Sequence, residues 1–303
     1  MSRSLMQIKQ FRYFIEVYQQ VSFSRASEKL GISQPALSKV IAQLEEELEL
    51  QLFDRSTRQL QITAEGEAMY EYAQKVIREV EDFKQAAVDL RTKHKGHFRF
   101  GLPPVIGSSF FPKVISAFQK QYPDAKMSIV EEGARVVQQS ILHGKLDVGI
   151  GILPISDTEL EVIPIVKRKL LLVVSNEHPL ADAKKVMMSE LKGEQFLLFK
   201  RGFSLYDRVR EASIDSGFEP NVIHESTQWD FLLKMVKENL GVSFLPETIV
   251  EDSNQAGIHA IEVDHPLIHW NLALISRKNG YQSPATAAWI DYVKAYFKEE
   301  AEY

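Results

Sequence analysis

The chain has 303 residues, of which 45% are hydrophobic and 25% charged, with a net charge of −5 and no cysteine. That composition is globular and long enough for two or three domains, and it excludes disulfides, thiolate nucleophiles and cysteine-ligated zinc. No apolar run reaches the about 18 residues that cross a membrane, and "MSRSLMQIKQFRYF" has no apolar signal-peptide core, so a cytoplasmic protein without a membrane partner is expected.

Residues 1–63 carry eight basic and seven acidic side chains, a local charge of +1. Charge therefore does not mark a nucleic-acid surface here, and pattern has to. In "LMQIKQFRYFIEVYQQ", Leu5, Ile8, Phe11, Phe14 or Ile15, and Tyr18 recur at helical spacing. "VSFSRASEKLG" offers Ser22 or Ser24 as an N-cap, Ala26 and Leu30 as a small apolar face, and Gly31 at the turn. "ISQPALSKVIAQLEEELE" starts on Ser33 as N-cap, with Pro35 in the first turn where its missing N–H costs nothing. Its buried face is Leu37, Val40, Ile41, Leu44 and Leu48.

Two helices joined by a tight glycine turn read as a helix-turn-helix, whose second helix enters the DNA major groove by its N-terminal end. Ser33, Gln34, Ser38 and Lys39 at that end are groups that read bases and hold phosphates, and Gln pairs bidentately with adenine. The competing explanation is plain helix capping, for which Ser, Gln and Pro are also good residues.

From Thr63 onward a long helix is predicted, with Met69, Ala73, Val76, Val80, Phe83, Ala87 and Leu90 spaced by fours and threes as a heptad seam. Such a seam takes a partner helix, although it could also pack on the chain's own body. In "RTKHKGHF", His94 and His97 lack a third ligand and read as linker residues. After Gly96 strands and helices alternate: "HFRFGL", a helix over 108–121, "KMSIVEE", a helix over 134–143 and "LDVGIGI". "KLLLVVS", "EQFLLF", a helix near 205–216, "NVIHEST", a helix over 228–239 and "VSFLP" form a second unit, and "LIHWNLALIS" and a helix over 284–299 end the chain. This order predicts parallel sheets in two α/β lobes with a ligand cleft between them.

The run from Phe11 to Gly66 resembles the winged helix-turn-helix of the LysR-type transcriptional regulators. The matching residues are Phe14, Val17, Ser22, Phe23, Ala26, Leu30, Ser33, Gln34, Pro35, Ala36, Leu37, Ser38, Ile41, Leu44, Glu45, Leu48, Leu52, Phe53, Arg55, Thr63, Ala64 and Gly66. The resemblance implies DNA contacts at Ser33, Gln34, Pro35, Ser38 and Lys39, and phosphate contacts at the wing residues Arg55 and Arg58. It also implies a dimer through the helix carrying the heptad seam. Two departures are Ala26-Ser27 for the usual Ala-Ala, and Glu49 where the family has Gly; in a left-handed cap Glu costs about 1 kcal/mol more than Gly.

"FGLPPVIGSSFFPKVISAFQKQYPDAKMSIVEEG", "LHGKLDVGIG", "NEHPLA" and "NLGVSFLP" resemble the effector domain of the same family, so the likeness spans almost the whole chain. The implied fold is an N-terminal all-α winged helix-turn-helix (1–64) with a long linker helix (65–95), then a two-lobed α/β periplasmic-binding-protein-like effector domain (96–303). Lobe I would comprise about 96–166 and 267–303, and lobe II about 167–266. The implied effector residues are Pro103, Pro104, Val105, Gly107, Ser108 and Ser109, Glu132 and Gly133, Gly151, Lys200, Arg201 and Phe203, Ser226 and Thr227, and Ser243 and Phe244. Helix N-termini there favour an anionic ligand, with Lys200 and Arg201 as countercharge. Pro103 and Pro104 remove two backbone donors and the hydroxyl the family often has in this turn, unless they only stiffen it.

An enzyme is disfavoured, since no G-x-S-x-G, H-E-x-x-H, P-loop or G-x-G-x-x-G occurs. A pure solute-binding module leaves the first ninety residues without a role, and sequence-blind DNA binding suits neither the acidity nor the small basic patch. The expectation is a homodimer, assembled into a homotetramer, on dyad-symmetric double-stranded DNA. A small carboxylate effector, with no cofactor or metal, would shift the assembly and hence DNA bending and RNA polymerase access.

Overall fold

The structure, a computed structural model, describes residues 6–56, 60–92, 96–252 and 256–300. It divides into two compact units, residues 1–91 and 92–303.

In the first unit, the apolar spacing of the sequence becomes helices α1 (Ile8–Gln20), α2 (Phe23–Leu30) and α3 (Gln34–Leu48). They bury Phe14, Val17, Ala26, Leu37, Ile41 and Leu44 in one core, together with Leu52, Phe53 and Ala73. Ser22 caps α2 by accepting from the Arg25 N–H, and Gly31 ends it at φ 68°. Ser33 caps α3 by accepting from the Ala36 N–H, and Pro35 sits in the first turn. At the far end of α3, Glu49 takes the left-handed cap itself, at φ 56°, so the chain bears the cost that Gly would avoid there. Val21, the cap of α1, is also left-handed at φ 45°, a conformation in which a β-branched residue is strained.

A two-stranded antiparallel wing follows, β1 (Phe53–Asp54) against β2 (Gln61–Ile62). It leads into the long helix α4 (Ala64–Thr92). Gly66 lets α4 start hard against the wing, since a Cβ there would lie 2.2 Å from the Leu52 carbonyl oxygen.

The second unit opens with β3 (His97–Leu102), α5 (Pro104–Gln121), β4 (Lys126–Glu131), α6 (Ala134–Leu142) and β5 (Val148–Ile152). β3 runs parallel to both β4 and β5, as the alternating pattern predicts. Gly101 and Gly149 let α6 sit directly on this sheet, because added Cβ atoms would meet Val137 Cγ1 at 2.7 and 2.5 Å.

The sheet then departs from the parallel expectation. β6 (Leu160–Ser175) is 16 residues long, whereas the sequence pattern marked only "KLLLVVS". The missed half, "LEVIPIVKR", is interrupted by Pro164 and carries its charges only near its ends, at Glu161, Lys167 and Arg168; Pro164 is accommodated where the register against β12 shifts. After β7 (Lys185–Met187) come β8 (Gln195–Phe199), α7 (Ser204–Asp215), β9 (Asn221–Ser226), α8 (Trp229–Lys237), β10 (Ser243–Pro246), α9 (Glu247–Asp252), β11 (Ile258–Asp264), β12 (His269–Arg277) and α10 (Pro284–Glu300). Leu160 to Lys169 of β6 pair antiparallel with β12, while Leu170 to Ser175 pair antiparallel with β10 and β11. One long strand therefore serves both lobes. Among the described residues its sheet runs β4-β3-β5-β12-β6-β11-β7 with β10 also on β6, and β8-β9 form a separate parallel pair. Trp289 of α10 fills the first lobe against Phe100 and Phe118, at ring distances of 5.0 and 4.9 Å. In the second, Phe196 stacks on Phe244.

Candidate nucleic-acid interface and inter-lobe cleft

The N-terminal turn of α3 stands clear of the protein. Ser33, Gln34, Pro35 and Lys39 are exposed and Ser38 half-buried, while Leu37 and Ile41 on the opposite face are fully buried. The Ser24 hydroxyl donates to Gln34 Oε1 at 3.1 Å, which leaves the Gln34 Nε2–H groups for an external acceptor. Ser24 and Arg25, exposed at the start of α2, belong to the same surface. The sequence considered Ser24 only as a cap; its neighbour to Gln34 arises from the turn at Gly31.

Arg55 is anchored as well as exposed. Its Nη2 donates to Glu45 Oε2 at 2.8 Å and its Nη1 to Ser38 Oγ at 3.3 Å, and its guanidinium lies 4.9 Å from the Phe23 ring centre. Glu45 Oε1 also accepts the backbone N–H groups of Leu52 and Phe53, at 2.9 and 3.1 Å. Arg55 is thus held between α2, α3 and the wing with 38% of its side chain open. Arg58 lies outside the described residues.

The seam on α4 splits. Met69 is half-buried and Ala73 buried against the N-terminal core, which Tyr70 joins by stacking on Tyr18 at 3.7 Å. Burial, and then the charge of Glu67, raise the Tyr18 hydroxyl pKa. Farther along, Val80 is half-buried, and Val76, Phe83, Ala87 and Leu90 are exposed, Phe83 to 77% and Leu90 to 84%.

In the second unit a cavity of about 20 Å³ is bounded by Pro103, Pro104, Val105, Ile106, Gly133, Ala134, Ile152, Phe203, Ser204, Leu205 and Trp270. It lies between the lobes, where the N-termini of α5, α6 and α7 converge. First-turn N–H groups have no intrahelical acceptor and carry partial positive charge. A Cβ on Gly133 would lie 3.8 Å from the Gly202 carbonyl oxygen, so the two walls nearly touch. Of the residues singled out in the sequence, Pro103, Pro104, Val105, Gly133 and Phe203 meet here.

The others lie elsewhere. Ser108 and Ser109 turn their hydroxyls back onto the Val105 carbonyl within α5. Gly107 sits over Leu102, and Gly151 is packed beneath Ile155 and Ile275. Ser243 and Phe244 are fully buried, the Ser243 hydroxyl donating to the Leu197 carbonyl at 2.7 Å. Ser226 accepts the Gln228 N–H, and Thr227, Glu132 and Lys200 are exposed. Arg201 is bound by Glu225 through both its backbone N–H and its Nε, each at 3.2 Å. Neither Lys200 nor Arg201 borders the cavity, so its lining contains no basic side chain.

One cation missed in the sequence is buried one turn into α7. Arg208 donates to the carbonyls of Leu153, His269 and Leu267 at 2.6, 2.8 and 3.2 Å, tying α7 of one lobe to the strand ends of the other. Burial lowers its pKa from the usual value, with Glu211 opposing. Nothing in "DRVRE" distinguishes Arg208 from a surface arginine.

Comparison with known proteins finds residues 8–67 matching the "Bacterial regulatory helix-turn-helix protein, lysR family" and residues 91–298 matching the "LysR substrate binding domain". The chain is 41% identical to the uncharacterized HTH-type transcriptional regulator YwbI of Bacillus subtilis, over 96% of this chain and 97% of that one. It is 28% identical to the hydrogen peroxide-inducible genes activator of Haemophilus influenzae, over 96% and 98%. Full-length CbnR complexed with its target DNA shares the fold, with a TM-score of 0.60 and 20% identity over 96% of this chain and 99% of that one.

Proposed function

The chain belongs to the LysR family of bacterial helix-turn-helix transcriptional regulators, and from that premise we propose that it reads a dyad-symmetric DNA site under control of a small carboxylate bound between its lobes. It is a DNA-binding regulator with an effector domain, not an enzyme. The observation that carries the DNA reading is the exposed first turn of α3, with Gln34 held by Ser24 and Ser38 held by Arg55. Gln34 and Ser33 then address base edges, and Lys39 and Arg55 address phosphates.

Two such helices are brought to two half-sites by pairing of the Val76–Leu90 stretch of α4 with a second copy, and dimers associate into a tetramer. The wing domain ends near residue 64, and α4 serves as linker and dimerisation helix. The convergence of three helix N-termini favours an anion in the cleft. One relative is named for induction by hydrogen peroxide; this chain has no cysteine, so no thiol of its own supplies such a response. Its place is the cytoplasm, where the DNA is.

The test is selection of duplexes from a random pool by the full-length protein at about 0.15 M salt, which screens non-specific attraction. Enrichment of an interrupted dyad supports the reading. Folded protein that enriches nothing, with or without metabolite mixtures, overturns it.

A further inference from the structure

Glu45 is half-buried on α3, and both its oxygens are taken: Oε1 accepts the Leu52 and Phe53 N–H groups, and Oε2 accepts Arg55 Nη2 at 2.8 Å. Arg55 is in turn tied to Ser38 Oγ through Nη1 and lies over the Phe23 ring. The cation that joins the wing to α3 therefore carries a carboxylate partner. Lys29 is matched likewise by Glu16, at 2.8 Å. Residues 1–63 hold eight basic and seven acidic side chains, a nearly even balance for a domain that must approach a polyanion. At 0.15 M salt a phosphate feels charges within about 8 Å, so the immediate partner of each cation counts for more than the sum.

We propose that Glu45 is a specificity-determining positioning residue: it offsets the Arg55 charge, which holds down attraction to DNA of any sequence, while it fixes the Arg55 fork where the selected site needs it. The proposal rests on reading α3 and the wing as the DNA interface. Attraction to any duplex is built from phosphate contacts, each cation releasing counterions. A carboxylate 2.8 Å from the guanidinium works against that term. The same ion pair, with the Ser38 bond and the Phe23 ring, orders a long side chain before DNA arrives, so a contact at a fixed phosphate costs little further ordering. Glu45 thus lowers binding to random DNA and spares binding at the site.

Glu45→Gln isolates the charge. The amide keeps one acceptor oxygen for Leu52 and Phe53 and turns to Arg55 an NH2 group that cannot accept, which frees the guanidinium. The full-length protein and this variant are titrated with the selected dyad and with a random duplex across a range of salt concentrations. Per protomer, the variant should bind the random duplex about fivefold tighter at about 0.15 M salt, with a salt slope steeper by about 0.9, the effect of one further phosphate contact. It should bind the dyad within about twofold of wild type, because ordering the freed Arg55 offsets the gain. A Glu45 of merely structural value predicts weaker binding to both duplexes and no steeper slope, and that result overturns the proposal. An equal gain on both duplexes overturns the specificity role. Should Glu45→Gln fail to fold, Arg55→Lys keeps the charge and loses the fork: it should leave the random duplex and its salt slope unchanged and weaken the dyad about fivefold, and unchanged dyad affinity overturns the proposal. Wild type that selects no dyad removes the DNA reading itself, and the proposal with it.

Discussion

Glu45 and Arg55 join the recognition helix to the wing: Arg55 Nη2 donates to Glu45 Oε2 at 2.8 Å, and the other oxygen of Glu45 takes the Leu52 and Phe53 backbone N–H groups. Glu45 is thus the acceptor for two chain segments, and Arg55 only one of its donors. Glu45→Ala is expected to destabilise the first unit by about 1–3 kcal/mol, because it strips acceptors from half-buried amides. Arg55→Ala should cost under about 1 kcal/mol, as for other solvent-screened ion pairs. Urea unfolding of the full chain ranks the two, and a larger loss for Arg55→Ala would contradict this division.

On DNA, Gln34 and Arg55 play different parts. Gln34→Ala should lower discrimination at one base position by about 1–3 kcal/mol, and Arg55→Ala should weaken all sequences alike and reduce the salt slope. Competition between the selected site and its single-base variants, at two salt concentrations, separates them. Equal, sequence-independent losses from both would remove Gln34 as a base reader.

Glu49 and Val21 both hold left-handed caps at positive φ. Glu49→Gly and Val21→Gly should each stabilise their helix ends by about 1 kcal/mol. Slower hydrogen exchange of the α3 amides in Glu49→Gly, and of the α1 amides in Val21→Gly, is the expected readout.

Phe83 is 77% exposed on the outer part of α4. If it packs against a second copy, Phe83→Glu buries an unpaired charge at that interface. Sedimentation should then show a smaller species at micromolar protein, with DNA affinity for the dyad reduced at least tenfold and the melting of the effector domain unchanged.

His269 sits beside the Arg208 anchor, and its Nδ1 lies 2.8 Å from the Pro266 carbonyl. Burial, and then the Arg208 charge, lower its pKa. A histidine whose folded pKa is depressed binds protons more readily when unfolded, so its contribution is present above its ordinary value of about 6.5 and is lost as the pH falls through the folded value. The melting temperature should therefore drop on acidification below that point, and His269→Gln should flatten the drop. An unchanged pH profile would mean that His269 is not the group responsible.

The helix-turn-helix was legible because it is local. Caps at Ser22 and Ser33, a turn at Gly31 and apolar residues at helical spacing all act within a few residues of one another. The seam on α4 was legible for the same reason, though not which part of it faces the core: Ala73 is buried in the cluster that holds Phe14 and Val17 of α1, whereas Phe83 is exposed. The alternation of strands and helices gave the α/β class. It could not give the 16-residue β6, whose first half reads as a weak strand and is held by β12, about a hundred residues away.

The inter-lobe cleft lay furthest from view. The family resemblance pointed to Pro103, Gly133 and Phe203, which border the cavity, and to Lys200 and Arg201, which do not, and the fold hands Arg201 to Glu225 instead. Trp270 and Arg208 carry no sequence signal, since a tryptophan in a strand and an arginine on a helix are ordinary. Periodicity and capping are properties of neighbouring residues and can be read from the chain. Which cation is consumed by backbone carbonyls depends on contacts between distant segments and exists only once the lobes have packed.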